Sequence, residues 1–133
     1  KAAVVSEDEQ EGGLRAILNF GHSIGHAIEA ITNYGTYLHG EAISIGQVMA
    51  AELSTQLAGL PARDTARIRQ FFKAAGLPTT IKLTPAQRSK LIAAMSLDKK
   101  VSDGEVKFVL AQKIGSVQYG LSVPAENLRK VLA

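Results

Sequence analysis

The sequence contains no cysteine, which excludes a disulfide framework, a thiolate metal site and a cysteine nucleophile. No apolar run approaches the roughly 18–20 residues that a membrane span needs. No signal-peptide pattern opens the sequence, so no membrane partner and a cytoplasmic location are expected. Charge of one sign is equally scarce: 15 Lys and Arg against 12 Asp and Glu leave +3. Without a basic stripe, that excess is too small to point to nucleic acid. Also missing are an internal repeat, a low-complexity tract, an interdomain linker and the strand–Gly-rich loop–helix that cradles a dinucleotide. What is present is 133 residues, 46% hydrophobic and 20% charged, the balance of one ordinary globular domain. Such a length buries roughly two-thirds of its unfolded surface. Residue 1 is Lys rather than Met, and the sequence is expected to be a piece of a longer chain.

Periodicity predicts a mainly α fold: a helical domain with a small β-hairpin near the C-terminus. Ala2 to Val5 reads as a short strand or linker, followed by the acidic residues Glu7, Asp8, Glu9 and Glu11. From Glu11 to about Thr32, Leu14, Ile17, Leu18, Ile24, Ile28 and Ile31 recur on one helical face. Gly21 and Gly25 share that face and allow another backbone to approach closely, against about 1 kcal/mol of helix propensity each. A second helix is expected from about Glu41 to Leu57, with Ala42, Ile45, Met49, Leu53 and Leu57 inward and Gly59 and Pro61 as its stop. A third spans about Pro61 to Ala75 and carries Ile68, Phe71 and Phe72. Thr84-Pro85 starts a fourth, with Leu91, Ile92 and Met95 inward. The period then falls to two along Val106, Phe108 and Leu110, and again along Val117, Tyr119, Leu121 and Val123, which predicts the hairpin. A short helix from Pro124 to Leu132 closes the chain.

The chemistry lies opposite the first apolar stripe. At 100° per residue, Glu11, Arg15, Asn19, His22, His26 and Glu29 share one arc about 80° wide if the helix is regular. The plain alternative is a solvated face with i,i+4 pairs such as Glu11–Arg15, worth tenths of a kcal/mol. His22 and His26 at i,i+4 have the spacing of a chelating pair, yet Ser23 stands where a metalloprotease helix needs Glu. His39, just before the second helix, sits where a helix N-terminus disfavours imidazolium and keeps the ring able to bind metal. Two His fall short of the three protein ligands typical of catalytic zinc. Glu11, Glu41 or a residue outside the sequence would supply the third.

The string LNFGHSIGHAIE (Leu18 to Glu29), preceded by Arg15 and followed by HGEA (His39 to Ala42), is distinctive. With Gly76-Leu77-Pro78, Asp98-Lys99-Lys100 and Val109-Leu110…Ile114-Gly115, it resembles the C-terminal domain of the 3-dehydroquinate synthase family nearly end to end. The resemblance implies a two-domain enzyme that uses NAD and a divalent metal, zinc or another such as cobalt. Its reaction converts 3-deoxy-D-arabino-heptulosonate 7-phosphate to 3-dehydroquinate and phosphate in the shikimate route to chorismate and the aromatic amino acids. It also implies His22 and His39 as metal ligands, and His26 as a phosphate contact and proton-handling group. Arg15 would hold the substrate carboxylate with Asn19 beside it, Lys1 and Glu11 would contact substrate or metal-bound hydroxyls, and one of Lys99 and Lys100 would bind phosphate.

The same resemblance assigns NAD to an N-terminal domain of the enzyme that this sequence does not contain, together with a Glu metal ligand that would precede Lys1. The sequence alone is therefore expected to be inactive and to bind zinc weakly, with that N-terminal domain as partner and a homodimer as the full enzyme. Sugar-phosphate cyclases that make cyclitols, such as 2-deoxy-scyllo-inosose synthase, share the metal-binding blocks. Arg15 and Asn19 favour the substrate that carries a carboxylate. A non-catalytic metal-binding or interaction module, docking a partner helix on the Gly21/Gly25 face, is the alternative from another class.

Overall fold

The first predicted helix does not run unbroken. In the computed structural model, which describes residues 18–33, 35–98 and 106–132, residues 18 and 19 form a 3₁₀ turn. Gly21 then takes the left-handed conformation at φ 80°, and helix α1 begins only at His22, running His22–Ile31. Asn19 therefore does not share a regular helical arc with His22, His26 and Glu29. The reason is local: the left-handed turn at Gly21 interrupts the α-helical backbone, and L-residues other than Gly rarely adopt it. At the other end Asn33 is left-handed at φ 62°, while the Thr32 hydroxyl donates 2.6 Å to the Ile28 carbonyl. This is an Asn-terminated helix, at the position where the sequence predicted the stop.

The remaining elements follow in order: α2 (His39–Leu57), α3 (Ala62–Ala74), α4 (Pro85–Asp98), β1 (Val106–Lys113), β2 (Ser116–Val123) and α5 (Ala125–Leu132). Helix α2 starts two residues earlier than expected, which makes His39 its first residue rather than the residue before it. The Glu41 carboxylate accepts the Leu38 N–H at 2.9 Å, satisfying a backbone donor at the helix start. Thr84 and Gln87 exchange the reciprocal bonds of a capping box at the start of α4, 2.9 and 3.2 Å, as the Thr84-Pro85 pair predicted. At the end of α3 the N–H groups of Gly76 and Leu77 return to Lys73 and Phe72, so Gly76-Leu77-Pro78 does terminate it. β1 and β2 pair antiparallel around the two-residue Ile114-Gly115 loop, with Phe108 opposite Leu121 and register irregularities further along.

Helix α2 is the centre of the molecule. Ala42, Ile45, Met49 and Leu53 are buried as predicted, but so are Ser44, Gly46, Val48, Ala50, Ala51 and Ser54. Leu57, expected inward, is 41% exposed at the helix end, and Phe71 on α3 is 70% exposed. α2 contacts α1, α3, β1 and α5 on different sides, which is why its sequence carries a weak amphipathic signal. Where polar atoms are buried on it they are paired. Ser54 Oγ donates 2.7 Å to Ala50 O and accepts the Ala111 N–H at 2.9 Å, tying β1 to the helix. Ser44 Oγ reaches Pro78 O at 2.7 Å, and Thr65 Oγ1 reaches Ala51 O at 3.1 Å.

Helix α1 has ten residues, too few to be stable alone in water. Its stability comes from Ile24 and Ile28, both fully buried and each worth about 1.5–3 kcal/mol, and from close approach to α2. A Cβ on Gly46 would lie 2.8 Å from the Gly25 backbone nitrogen and closer still to the Gly21 carbonyl oxygen. A Cβ on Gly25 would meet Ala42 O at 3.3 Å. The sequence prediction of close backbone approach at Gly21 and Gly25 holds, and its partner is Gly46. Gly46→Ala is expected to destabilise the chain by about 1–3 kcal/mol in urea unfolding, since the obstructing atoms are backbone; this exceeds the roughly 1 kcal/mol of helix propensity that Ala adds. Gly40→Ala, whose Cβ meets nothing within 4 Å, is expected to be neutral or stabilising by about 0.4–1 kcal/mol.

Candidate metal centre

Three histidines meet where the solvent side of α1 faces the first turn of α2. His22, His26 and Glu29 lie within roughly 60° on α1, opposite the buried Ile24, Ile28 and Ala27. His39 arrives from the N-terminus of α2 after a short return. Ring nitrogens of His22, His26 and His39 all lie within 4.8 Å of one another. The ring centroids are 5.3 Å apart for His22–His26, 5.9 Å for His22–His39 and 5.8 Å for His26–His39. A tetrahedral zinc with bonds of about 2.0–2.1 Å sets its nitrogens roughly 3.3 Å apart. Small side-chain rotations close that gap.

The three rings are not equivalent. His22 Nδ1 donates to the Phe20 carbonyl at 3.3 Å, and that carbonyl also accepts from Gln47 Nε2 of α2 at 3.4 Å. His39 Nδ1 donates to Glu29 Oε1 at 2.7 Å. In both rings the hydrogen bond fixes the tautomer and leaves Nε2 as the lone-pair donor, the arrangement that orients metal-binding imidazoles. Among the described residues His26 makes ring contacts only, with no hydrogen bond to hold either nitrogen. Two rings are thus oriented by a second bond, and the third is exposed beside them with neither nitrogen hydrogen-bonded among the described residues.

Of the other residues singled out in the sequence, Lys1, Glu11, Arg15, Lys99 and Lys100 lie outside the described residues. Glu41 was a candidate third ligand, but one of its carboxylate oxygens is engaged by the Leu38 N–H, and it is not in the ligating cluster. Asn19 lines a cavity of about 200 Å³ with Ser23, Lys107 and Tyr119. Sequence reading missed Lys107 at this place, because its position at the same cavity depends on how the hairpin docks, and no local pattern encodes that. It also gave Glu29 a place on the polar arc without a function. A larger apolar groove of about 590 Å³ between α3 and the hairpin turn, lined by Ile68, Phe71, Phe72 and Ile114, contains none of the histidines.

The donor set is of the class that suits a borderline divalent ion such as zinc or cobalt: imidazole nitrogens, no thiolate, two of the rings oriented through their second nitrogen. Residues 1–101 match the family model for the C-terminal domain of 3-dehydroquinate synthase. The chain belongs to that family. It is 46% identical over 132 residues to the 3-dehydroquinate synthase of Thermodesulfovibrio yellowstonii, covering 99% of this chain and 36% of the relative. It is 48% identical over 132 residues to that of Bordetella pertussis, with the same coverage. With that of Rhodospirillum rubrum it shares 53% over 120 residues, 86% of this chain and 31% of the relative. The chain thus spans about a third of the length of these relatives.

Among solved structures, it superposes at TM-score 0.83 and 25% identity on a 2-deoxy-scyllo-inosose synthase complexed with carbaglucose-6-phosphate, NAD+ and Co2+, covering 99% of this chain and 38% of that one. It superposes at TM-score 0.82 and 22% identity on a 2-epi-5-epi-valiolone synthase from Streptomyces hygroscopicus with NAD+ and Zn2+ bound, covering 98% and 35%. No helix among the described residues is long and apolar enough to cross a membrane.

Cobalt titration of this chain, followed by its visible absorption, is expected to give binding weaker than about 1 µM, since two oriented rings fall short of a full ligand set. His39→Ala is expected to abolish it, and His26→Ala to change it by less than about threefold, because no second bond prepares that ring.

Proposed function

We propose that this chain is the metal- and substrate-binding C-terminal part of a 3-dehydroquinate synthase, which converts 3-deoxy-D-arabino-heptulosonate 7-phosphate to 3-dehydroquinate and phosphate in aromatic amino-acid biosynthesis. One observation carries the assignment of roles. Among the described residues, His22 and His39 each have Nδ1 engaged by an oxygen, and His26 beside them does not. His22 and His39 hold the metal through Nε2. His26 faces the same space with both nitrogens available to the substrate phosphate, and takes or returns a proton there. A bound divalent ion supplies Lewis-acid polarisation of a substrate hydroxyl.

The rest of the grip is carried over from the family resemblance. Arg15 makes the bidentate contact that suits a carboxylate, with Asn19 as its polar neighbour. One of Lys99 and Lys100 offers a point charge to phosphate, while Lys1 and Glu11 contact substrate or metal-bound hydroxyls. NAD is held mainly by the remainder of the full-length enzyme, which works as a cytoplasmic homodimer and as a phosphate-eliminating lyase. Because hydride transfer needs that cofactor positioned against the substrate, the chain alone is inactive.

A cyclitol-forming cyclase is the second reading, favoured by the close superposition on 2-deoxy-scyllo-inosose synthase. Identity near half to 3-dehydroquinate synthases, against 25% to that cyclase, supports the first. The full-length enzyme is expected to turn over the heptulosonate phosphate and to leave glucose 6-phosphate, which lacks the carboxylate, untouched; the reverse preference refutes the assignment. In that enzyme His26→Asn is expected to lower kcat/KM by about 100-fold or more, the scale of a lost proton-transfer group, with metal content unchanged. His22→Ala is expected to lose the metal itself.

A further inference from the structure

We infer that Glu29 is a positioning residue for His39, holding the imidazole in the tautomer and orientation that present Nε2 to the metal; this rests on the reading that His39 ligates. The two residues lie on different helices, ten apart in sequence, and their side chains meet at 2.7 Å. The asymmetry of burial shows which partner directs the other. The Glu29 side chain is 14% exposed and the His39 side chain 59%.

Glu29 stands on α1 between the fully buried Ile28 and the C-terminal turn, so its carboxylate is carried by a helix fixed through the core. His39 is the first residue of α2, an exposed ring with several accessible rotamers, and among the described residues only Glu29 makes a hydrogen bond that selects one, since His22 and His26 offer ring contacts alone. As a stability device, an ion pair with so exposed a partner contributes little. As an orienting device it does what a carboxylate behind a metal-bound imidazole does: it accepts Nδ1–H and places the lone pair on Nε2. The Glu41 cap on Leu38 N–H fixes the backbone at the same turn. The ring's two ends of freedom, backbone and χ angles, are therefore constrained from separate sides.

The test is zinc affinity of the full-length enzyme by chelator competition, with thermal unfolding of the apo-form as control. Glu29→Ala is expected to lower affinity 10–100-fold with the apo midpoint unchanged. Glu29→Gln, whose amide oxygen still accepts Nδ1–H, is expected to stay within about threefold of the parent. Equal losses in both variants overturn the inference, because charge and not orientation would then be at work. Unchanged affinity in Glu29→Ala overturns it as well. His39→Ala is the reference: if it loses metal while Glu29→Ala does not, this inference alone fails. If His39→Ala retains metal, the ligand assignment beneath it has failed too.

Discussion

Everything at the histidine cluster depends on how closely α1 lies against α2. Gly46 leaves room for the Gly25 backbone and the Gly21 carbonyl, and Gly25 leaves room for Ala42 and Ile43. A methyl group at any of these contacts would push the helices apart, and α1 has little independent stability with which to resist. The separation of the helices sets the separation of His22 and His26 from His39, because the first two ride on one helix and the third on the other. Imidazoles reach a shared ion only within a few tenths of an ångström of bond length. The packing contact between the two backbones therefore also sets how far His22 and His26 stand from His39.

The close contact also explains why polar groups near it are arranged so fully. Gly21 turns the chain left-handed, which frees the Phe20 carbonyl from any helical partner. That carbonyl collects His22 Nδ1 and Gln47 Nε2 instead. One backbone oxygen thereby fastens α1 to α2 and orients a ring. The Glu29–His39 bond does the same from the other end of α1. The two helices are joined at both ends of α1, by Gln47 on the carbonyl that also holds His22 and by the Glu29–His39 bond, so the bonds that hold the fold and those that aim the rings share their atoms.

Much of this was legible in the sequence, where the responsible physics is local. The i,i+4 spacing of His22 and His26, the stop at Asn33, the Thr84 cap, the hairpin and the Gly76 terminator all depend on neighbours within a few residues, and all stand where the pattern put them. What was not legible depends on contacts distant in sequence. The left-handed Gly21 broke a helix whose hydrophobic period continued straight through it, because period reports which side is apolar and not whether the backbone reverses. Leu57 fits an inward stripe, yet it is 41% exposed at the end of α2. Glu29 had a place on the polar arc but no partner, since its partner is fixed by the angle between two helices rather than by spacing on one.

The exposure of the cluster bears on how a catalytic centre is divided along a chain. A structural metal site is closed: its ligands are buried and its coordination filled from within one fold. Here the histidines are on the surface, two of them exposed and one half-buried, while the carboxylate that orients His39 is the buried member of its pair. Rigidity has been placed behind the ligands and openness in front of them. That gradient is what a site needs if the remaining ligand, the cofactor and the substrate approach from outside this domain. Two rings are oriented within this chain, His22 by the Phe20 carbonyl and His39 by Glu29, and on the proposed reading less ordering then remains when the rest of the site assembles. On that reading, one wall of a shared centre gains more from aiming two nitrogens well than from enclosing an ion by itself.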